Sequence, residues 1–259
     1  MLAEYFQQDI ILHIYGLGDL DDFYWPDTQY YGAKTRSGLD QVALIYQGEG
    51  LPIFLALAAP GKFDLDTIQQ LQNILPDQFY AHLSPGLENH FRGSYMIEDH
   101  GCHFKMGLID FSMITETDTN GTVTISSDDL EEVENLYQIS YPDNSFDPRM
   151  LRTGQYVGYR KANQLLCIGG VHVYSPVYGV AALGNITTHP DFRNQGLARA
   201  VTARICSQLM ERIKTIGLNV KSDNSAAVHL YQSLGFKISA KYGEFSLKKD
   251  DFPPKNSTF

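Results

Sequence analysis

The stretch G-N-I-T-T-H-P-D-F-R-N-Q-G-L-A, residues 184–198, decides the fold. Ahead of it Val180, Ala181, Ala182, Leu183 and Ile186 make a short apolar run with little helical character, and Pro190 removes a backbone donor where strand pairing must stop. A strand therefore ends near His189. Behind it Leu197, Val201, Ile205 and Leu209 recur every four residues, joined by Ala198, Cys206, Met210 and Ile213, with Arg199, Arg204, Gln208, Glu211 and Arg212 on the other side. This pattern predicts an amphipathic helix of about four to five turns.

Arg193, Asn194, Gln195, Gly196, Leu197 and Ala198 join the two elements. A helix start exposes unpaired N–H groups of partial positive charge, so the turn can hold a phosphate if no side chain blocks the approach. Gly196 removes the blocking Cβ, and Ala198 keeps the next turn small. No Lys-Ser/Thr pair follows the glycine, as a Walker loop requires, and there is no three-glycine dinucleotide fingerprint; the turn suits a pyrophosphate without a bound metal.

A second block, L-N-V-K-S-D-N-S-A-A-V-H-L-Y-Q-S-L-G-F, residues 218–236, follows at the distance one helix and one strand need. Leu218 and Val220 alternate with Asn219 and Lys221 as in a half-buried strand, and Asp223, Asn224 and Ser225 are candidate helix caps. Ala227, Leu230, Tyr231 and Leu234 share one helical face, and Gly235 followed by Phe236 is the expected stop.

In this order and spacing the two blocks resemble the GNAT acyltransferase superfamily, and the phrases look most like its glycine N-acyltransferase-like branch. The resemblance covers the chain from about Ser126 onward. It implies a mixed, mostly antiparallel central sheet flanked by helices, and acyl transfer from acetyl-CoA to a primary amine of a small molecule or amino acid. By resemblance, backbone groups of Ile186, Thr187 and Thr188 line the pantetheine arm, Arg193 to Ala198 wrap the pyrophosphate, Asn224 helps position the arm, and Tyr231 protonates the leaving thiolate. Many members place a glutamate base at the position of Ala182, which accepts no proton. The base is then displaced, water-mediated or absent; His172, His189 and Glu244 are the candidates, His172 first because alternate residues of its strand should face the acceptor cleft, where Tyr174 and Tyr178 would also lie. A non-catalytic acyl-CoA-binding module and a protein-lysine acetyltransferase remain as alternatives.

The 259 residues suit two modest domains, expected here as 1–120, a smaller β-rich α+β unit and possibly a degenerate GNAT-like half, and 121–259. A balance of 20 basic against 30 acidic residues argues against a nucleic-acid surface and is compatible with cationic acceptors. Cys102, Cys167 and Cys206 are too few and scattered for a disulfide framework. The acidic N-terminus does not read as a secretion signal, and no apolar run approaches a membrane span, so a cytoplasmic chain is expected. His100-Gly101-Cys102-His103 lacks a second ligand pair at zinc spacing, and no metal is expected.

Before residue 121 the expected order is irregular aromatic-rich chain over Asp21–Gly38, a hairpin of Gln41–Gln47 with Leu51–Ala59 around Gly48-Glu49-Gly50, a helix over Asp66–Leu75, and strands at Phe79–Leu83 and Cys102–Phe111. Beyond it Asp128-Asp129-Leu130-Glu131 reads as a capping box before a helix ended by Tyr141-Pro142, with strands at Tyr156–Arg160 and Leu165–Tyr174. Lys237–Leu247 reads as a hairpin turning at Lys241-Tyr242-Gly243, followed by a loose tail.

Overall fold

The computed structural model describes residues 1–36, 38–48, 50–58, 63 and 65–250. Glu49 of the first hairpin turn and residues 251–259 of the tail lie outside the described residues. The strands are β1 (Thr28–Thr35), β2 (Gly38–Tyr46), β3 (Ile53–Ala56), β4 (Gln78–Leu83), β5 (Tyr95–Leu108), β6 (Thr122–Ile125), β7 (Tyr156–Lys161), β8 (Gln164–Ser175), β9 (Val180–Thr188), β10 (Thr215–Lys221) and β11 (Phe236–Lys249). The α-helices are α1 (Leu2–Phe6), α2 (Ile14–Gly18), α3 (Leu65–Gln72), α4 (Ser112–Glu116), α5 (Leu130–Ser140), α6 (Leu197–Leu209) and α7 (Ser225–Ser233).

The chain divides into two compact units. Met1–Lys105, Lys221–Asp223 and Ala240–Phe259 form the first; Met106–Val220 and Asn224–Ser239 form the second. The expected boundary at 120/121 thus falls inside the second unit, and most of β11 belongs to the first.

In the first unit the strand order is β1-β2-β3-β4-β11-β5. One sheet face buries Phe54, Phe79, Ala81, Leu83, Phe245 and Leu247 with Ile68 and Leu71 of α3. Burying apolar faces on both sides of such a contact is what holds a lone short helix in place. The structure departs from the sequence pattern at two places. The aromatic-rich segment after Asp21 contains β1, an edge strand paired antiparallel with β2 from Thr28↔Tyr46 to Thr35↔Gly38. Its half-exposed side chains show no clean alternation, which hid it. Lys237–Leu247 is not a hairpin but part of one continuous strand; Gly243 lies within it, where a Cβ would come within 2.5 Å of the Phe245 ring. The glycine serves close packing there, not a turn.

In the second unit the order is β10-β9-β8-β7-β6, with antiparallel neighbours except for the parallel pair β9/β10. The capping box before helix α5 lies at 126–129, two residues earlier than expected. Ser126 Oγ accepts from Asp128 N, while Asp129 Oδ2 accepts from Ser126 N at 2.8 Å. Val133, Leu136 and Tyr137 of α5 then pack with Ile125, Leu151, Tyr156, Leu165 and Ile168. Tyr141 caps the helix before Pro142, as expected.

Both units repeat an order: an antiparallel meander, a crossover helix, and a strand parallel to the last. The first runs β1-β2-β3-α3-β4 and the second β7-β8-β9-α6-β10. They differ at the mouth of the parallel pair. In the first unit pairing runs through Ala56↔Leu83, and Ser84 then donates its N–H to the Ala56 carbonyl. The Ser84 hydroxyl accepts from Ala58 N and donates to Ala58 O, both at 2.9 Å, stitching the strands together. In the second unit the equivalent mouth is open.

Candidate active site

Strands β9 and β10 pair only from Val180↔Thr215 to Leu183↔Leu218, although β9 continues to Thr188 and β10 to Lys221. The cause is a bulge. Gly170 faces Gly184 and Ile168 faces Thr187, so Asn185 and Ile186 together oppose the single residue Gly169. Asn185 takes the left-handed conformation, φ 55°, tolerable for asparagine. Beyond it β9 stays bonded to β8 through Thr187↔Ile168 and Thr188↔Cys167, leaving its other edge unpaired by β10. Gly169 also lets α6 approach: a Cβ there would meet Ile186, Val201 and Ile205 at 2.7–3.3 Å.

The chain leaves β9 through a short 3-10 turn, Pro190–Phe192, capped by His189, whose Nδ1 accepts from Asp191 N. Asn194 (φ 63°) and Gly196 (φ 80°) are both left-handed, and Gly196 is the N-cap of α6. A Cβ on Gly196 would meet nothing within 4 Å, so this glycine answers to its backbone angle and stands under open space. The first intrahelical bond runs from Ala200 N to Gly196 O, so the N–H groups of Leu197, Ala198 and Arg199 precede it. Asn194, Gln195 and Gly196 are exposed, and Leu197 anchors the turn in the core. The Arg193 guanidinium turns back under the loop to the carbonyls of Thr188 (3.3 Å) and Ser140 (3.4 Å). Backbone donors, rather than this side chain, are therefore what the turn offers an anion.

Asn224 caps α7: its Oδ1 accepts from Ala227 N at 3.1 Å, leaving the amide NH2 as its outward donor. Arg199 of α6 braces α7 through Ser233 Oγ at 2.6 Å, a tie that the sequence pattern, which put Arg199 on the solvent side, does not show. Tyr231 of α7 is buried, at 8 % exposure, and within electrostatic reach of Cys167 and Tyr141. Burial pushes its phenol well above the usual range, so it stays protonated. Cys167, pushed up to about 12 by burial, accepts from Thr188 Oγ1 at 3.2 Å and is no nucleophile.

The FR47-like protein family matches residues 170–243, which span this bulge, turn and helix pair. Over 135 residues, half of this chain and 87% of the relative, the sequence is 30% identical to the [ribosomal protein bS18]-alanine N-acetyltransferase of Escherichia coli K12. The chain belongs to the GNAT family of N-acetyltransferases. Solved GNAT structures share the fold. A putative acetyltransferase from Novosphingobium aromaticivorans matches with TM-score 0.61 and 20% identity over 80% of this chain and 88% of its own. A GCN5-related N-acetyltransferase from Kribbella flavida matches with TM-score 0.60 and 15% identity over 95% of both chains.

In this GNAT enzyme the position of Ala182 is fully buried and carries no base. His172 is the extra residue in a second bulge, between Val171↔Leu183 and Val173↔Ala182. Its ring lies over Gly184, where a Cβ would sit 1.8 Å from it, next to the Asn185 bulge. Tyr174 lies opposite Ala181, beyond His172 from the bulge, and Tyr178 lies in the turn after β8. Glu244 belongs to the first unit. Tyr80 and Tyr242 donate to it at 2.5 Å, and His82 and His103 lie at 3.5 and 3.4 Å. Burial alone would raise its carboxyl, but the imidazoles and phenols outweigh that and hold it below the usual range, which makes it a poor proton acceptor. No cluster of metal-ligating side chains occurs among the described residues. His100 bonds Ser246 Oγ at 2.7 Å, and His103 bonds Gly101 O. A surface concavity of about 650 Å³, lined by Asp128, Asp129, Glu131, Glu132 and Arg160, shares no residue with the turn, and Arg160 pairs with Asp129 and Glu132.

Proposed function

We propose that the enzyme transfers an acetyl group from acetyl-CoA to a primary amine of a small molecule or amino acid by direct attack on the thioester. The observation that carries this reading is the gap where β9 leaves β10, opening beside the donor-rich start of α6. The pyrophosphate is held by backbone N–H groups of residues 193–198, and the pantetheine arm runs along Ile186, Thr187 and Thr188 with the Asn224 amide beside it. N–H groups on the free edge of β9 stabilise charge as it develops on the thioester oxygen. The amine nitrogen bonds to the acyl carbon, its proton passes to His172, and the C–S bond breaks. Tyr231 donates a hydrogen bond to the leaving sulfur, a role suited to a phenol that burial keeps protonated.

The same site is open to a second reading, the terminal amine of a protein, favoured by the identity to the bS18-alanine enzyme. The phrases at 186–198 and 224–236 support the glycine N-acyltransferase-like branch. A cytoplasmic setting is supported by three free cysteines. Release of free CoA thiol is measured against a panel of amino acids, small amines and terminal peptides. Turnover with amino acids supports the first reading and turnover with peptides alone the second. No CoA release with any acceptor, while acetyl-CoA still binds, would leave a binding module without transfer.

A further inference from the structure

The bulge that opens β9 is held from outside its own strand. The Tyr137 hydroxyl of α5 donates to the Asn185 carbonyl at 2.9 Å. Asn185 Nδ2 donates to the Tyr156 hydroxyl of β7 at 3.1 Å. All three residues are buried, Asn185 at 5 % exposure, so neither bond competes with bulk water. Both phenols are raised by burial and remain protonated across the working range. The Tyr156 ring also fills the space over Gly170, the residue paired with Gly184, where a Cβ would come within 2.4 Å of it. Met150 Sδ closes the cluster, 3.3 Å from the Tyr156 hydroxyl. Three elements thus converge on one left-handed residue.

We infer that Tyr137 and Tyr156 are positioning residues for acetyl transfer. By clamping Asn185 in its left-handed conformation they keep β9 from slipping back into register with β10, and so fix the free backbone edge against which acetyl-CoA lies. The inference rests on the cofactor reading given above. Without the Tyr137 hydroxyl the Asn185 carbonyl loses a buried hydrogen bond at the bulge, and the bulged conformation loses part of what favours it over a regular strand. Neither tyrosine touches the reacting atoms; each acts through Asn185.

Tyr137→Phe is expected to raise the acetyl-CoA KM by about tenfold, equivalent to about 1.4 kcal/mol, with the acceptor KM unchanged. A general packing role is separated by rescue. Glycine adopts the left-handed conformation unaided, so adding Asn185→Gly to Tyr137→Phe should recover acetyl-CoA affinity, although glycine lowers stability elsewhere in a strand. If Tyr137→Phe does not fold, the single variants decide: Asn185→Gly retains acetyl-CoA binding by calorimetry, and Asn185→Ala loses it by about tenfold or more. Equal affinities for the Gly and Ala variants, or a Tyr137→Phe enzyme with wild-type KM, would overturn the clamp. Absence of acetyl-CoA binding by the wild-type protein would instead overturn the cofactor reading.

Discussion

Tyr231 is the side chain whose role is most sharply exposed to test. If it donates to the leaving sulfur, Tyr231→Phe lowers kcat by about 10²-fold while calorimetric acetyl-CoA affinity is retained. A variant that keeps its kcat would return Tyr231 to the core. Its position was legible because the helix stop at Gly235 fixes its register: Gly235 (φ 96°) accepts from both Ile109 N and Asp110 N and has no room for a Cβ. Asn185 does not stand out in the sequence, since a polar residue in an apolar strand carries no mark of its backbone angle; Gly184-Asn185, a pair favoured at positive φ, is the available signal. Asp19 gives a prediction in pH. Burial pushes its carboxyl up to about 8 against the opposing Lys105 ammonium, and burial pushes Lys105 down to about 7. Lys105 is fully buried over the rings of Tyr15 and Tyr242, at 4.6 and 5.1 Å. A folded pKa above the ordinary 3.8 means the folded state holds the extra proton, so the Asp19 contribution is full below that value and is lost as pH rises through about 8. Lys105 runs the other way, its contribution full above 10.5 and lost as pH falls through about 7. Asp19→Asn cannot lose a proton, and its Tm should decline less than the wild type's between about pH 4 and pH 7. Parallel Tm profiles would show that Asp19 is ionised in the folded state.

At the scale of elements, β7 to β10 with α5 to α7 follow the expected order because each carries a strong local signal: alternation, a four-residue apolar period, an Asn cap, a Pro or Gly stop. The first unit was harder to read. Its edge strand β1 is half-exposed, and the long β11 reads as a hairpin because Gly243 mimics a turn signal. The contrast between the two parallel pairs was invisible in the sequence, since the stitch in β3/β4 comes from one serine, Ser84, bonding Ala58 across 26 positions. That stitch closes the mouth that stands open in β9/β10. Calorimetric titration with acetyl-CoA should therefore give one site per chain, and two equivalent sites would contradict the distinction.

For the whole molecule, the two units do not divide at one point of the sequence, so a cut at 120/121 leaves a piece of the first unit on the C-terminal fragment. Residues 243–248 of β11 pair with β4, and Phe245 and Leu247 are buried in the first unit's core. A fragment cut at 120/121 keeps these residues and loses their partner strand, exposing two side chains whose burial is worth about 1.5–3 kcal/mol each. It should elute as aggregate in size-exclusion chromatography where the full chain does not; a monomeric, acetyl-CoA-binding fragment would show that burial of Phe245 and Leu247 against β4 is dispensable. The central claim, that the open mouth and the turn at 193–198 form an acetyl-CoA site, is tested most directly by the melting midpoint with and without saturating acetyl-CoA. Ligand at a hundred times its Kd adds about 2.7 kcal/mol, a rise of several degrees for a chain of this size. The account predicts that rise in the wild type and its loss in Gly196→Val, where a β-branched residue cannot hold φ 80°. An unchanged midpoint for the wild type at millimolar acetyl-CoA would contradict it.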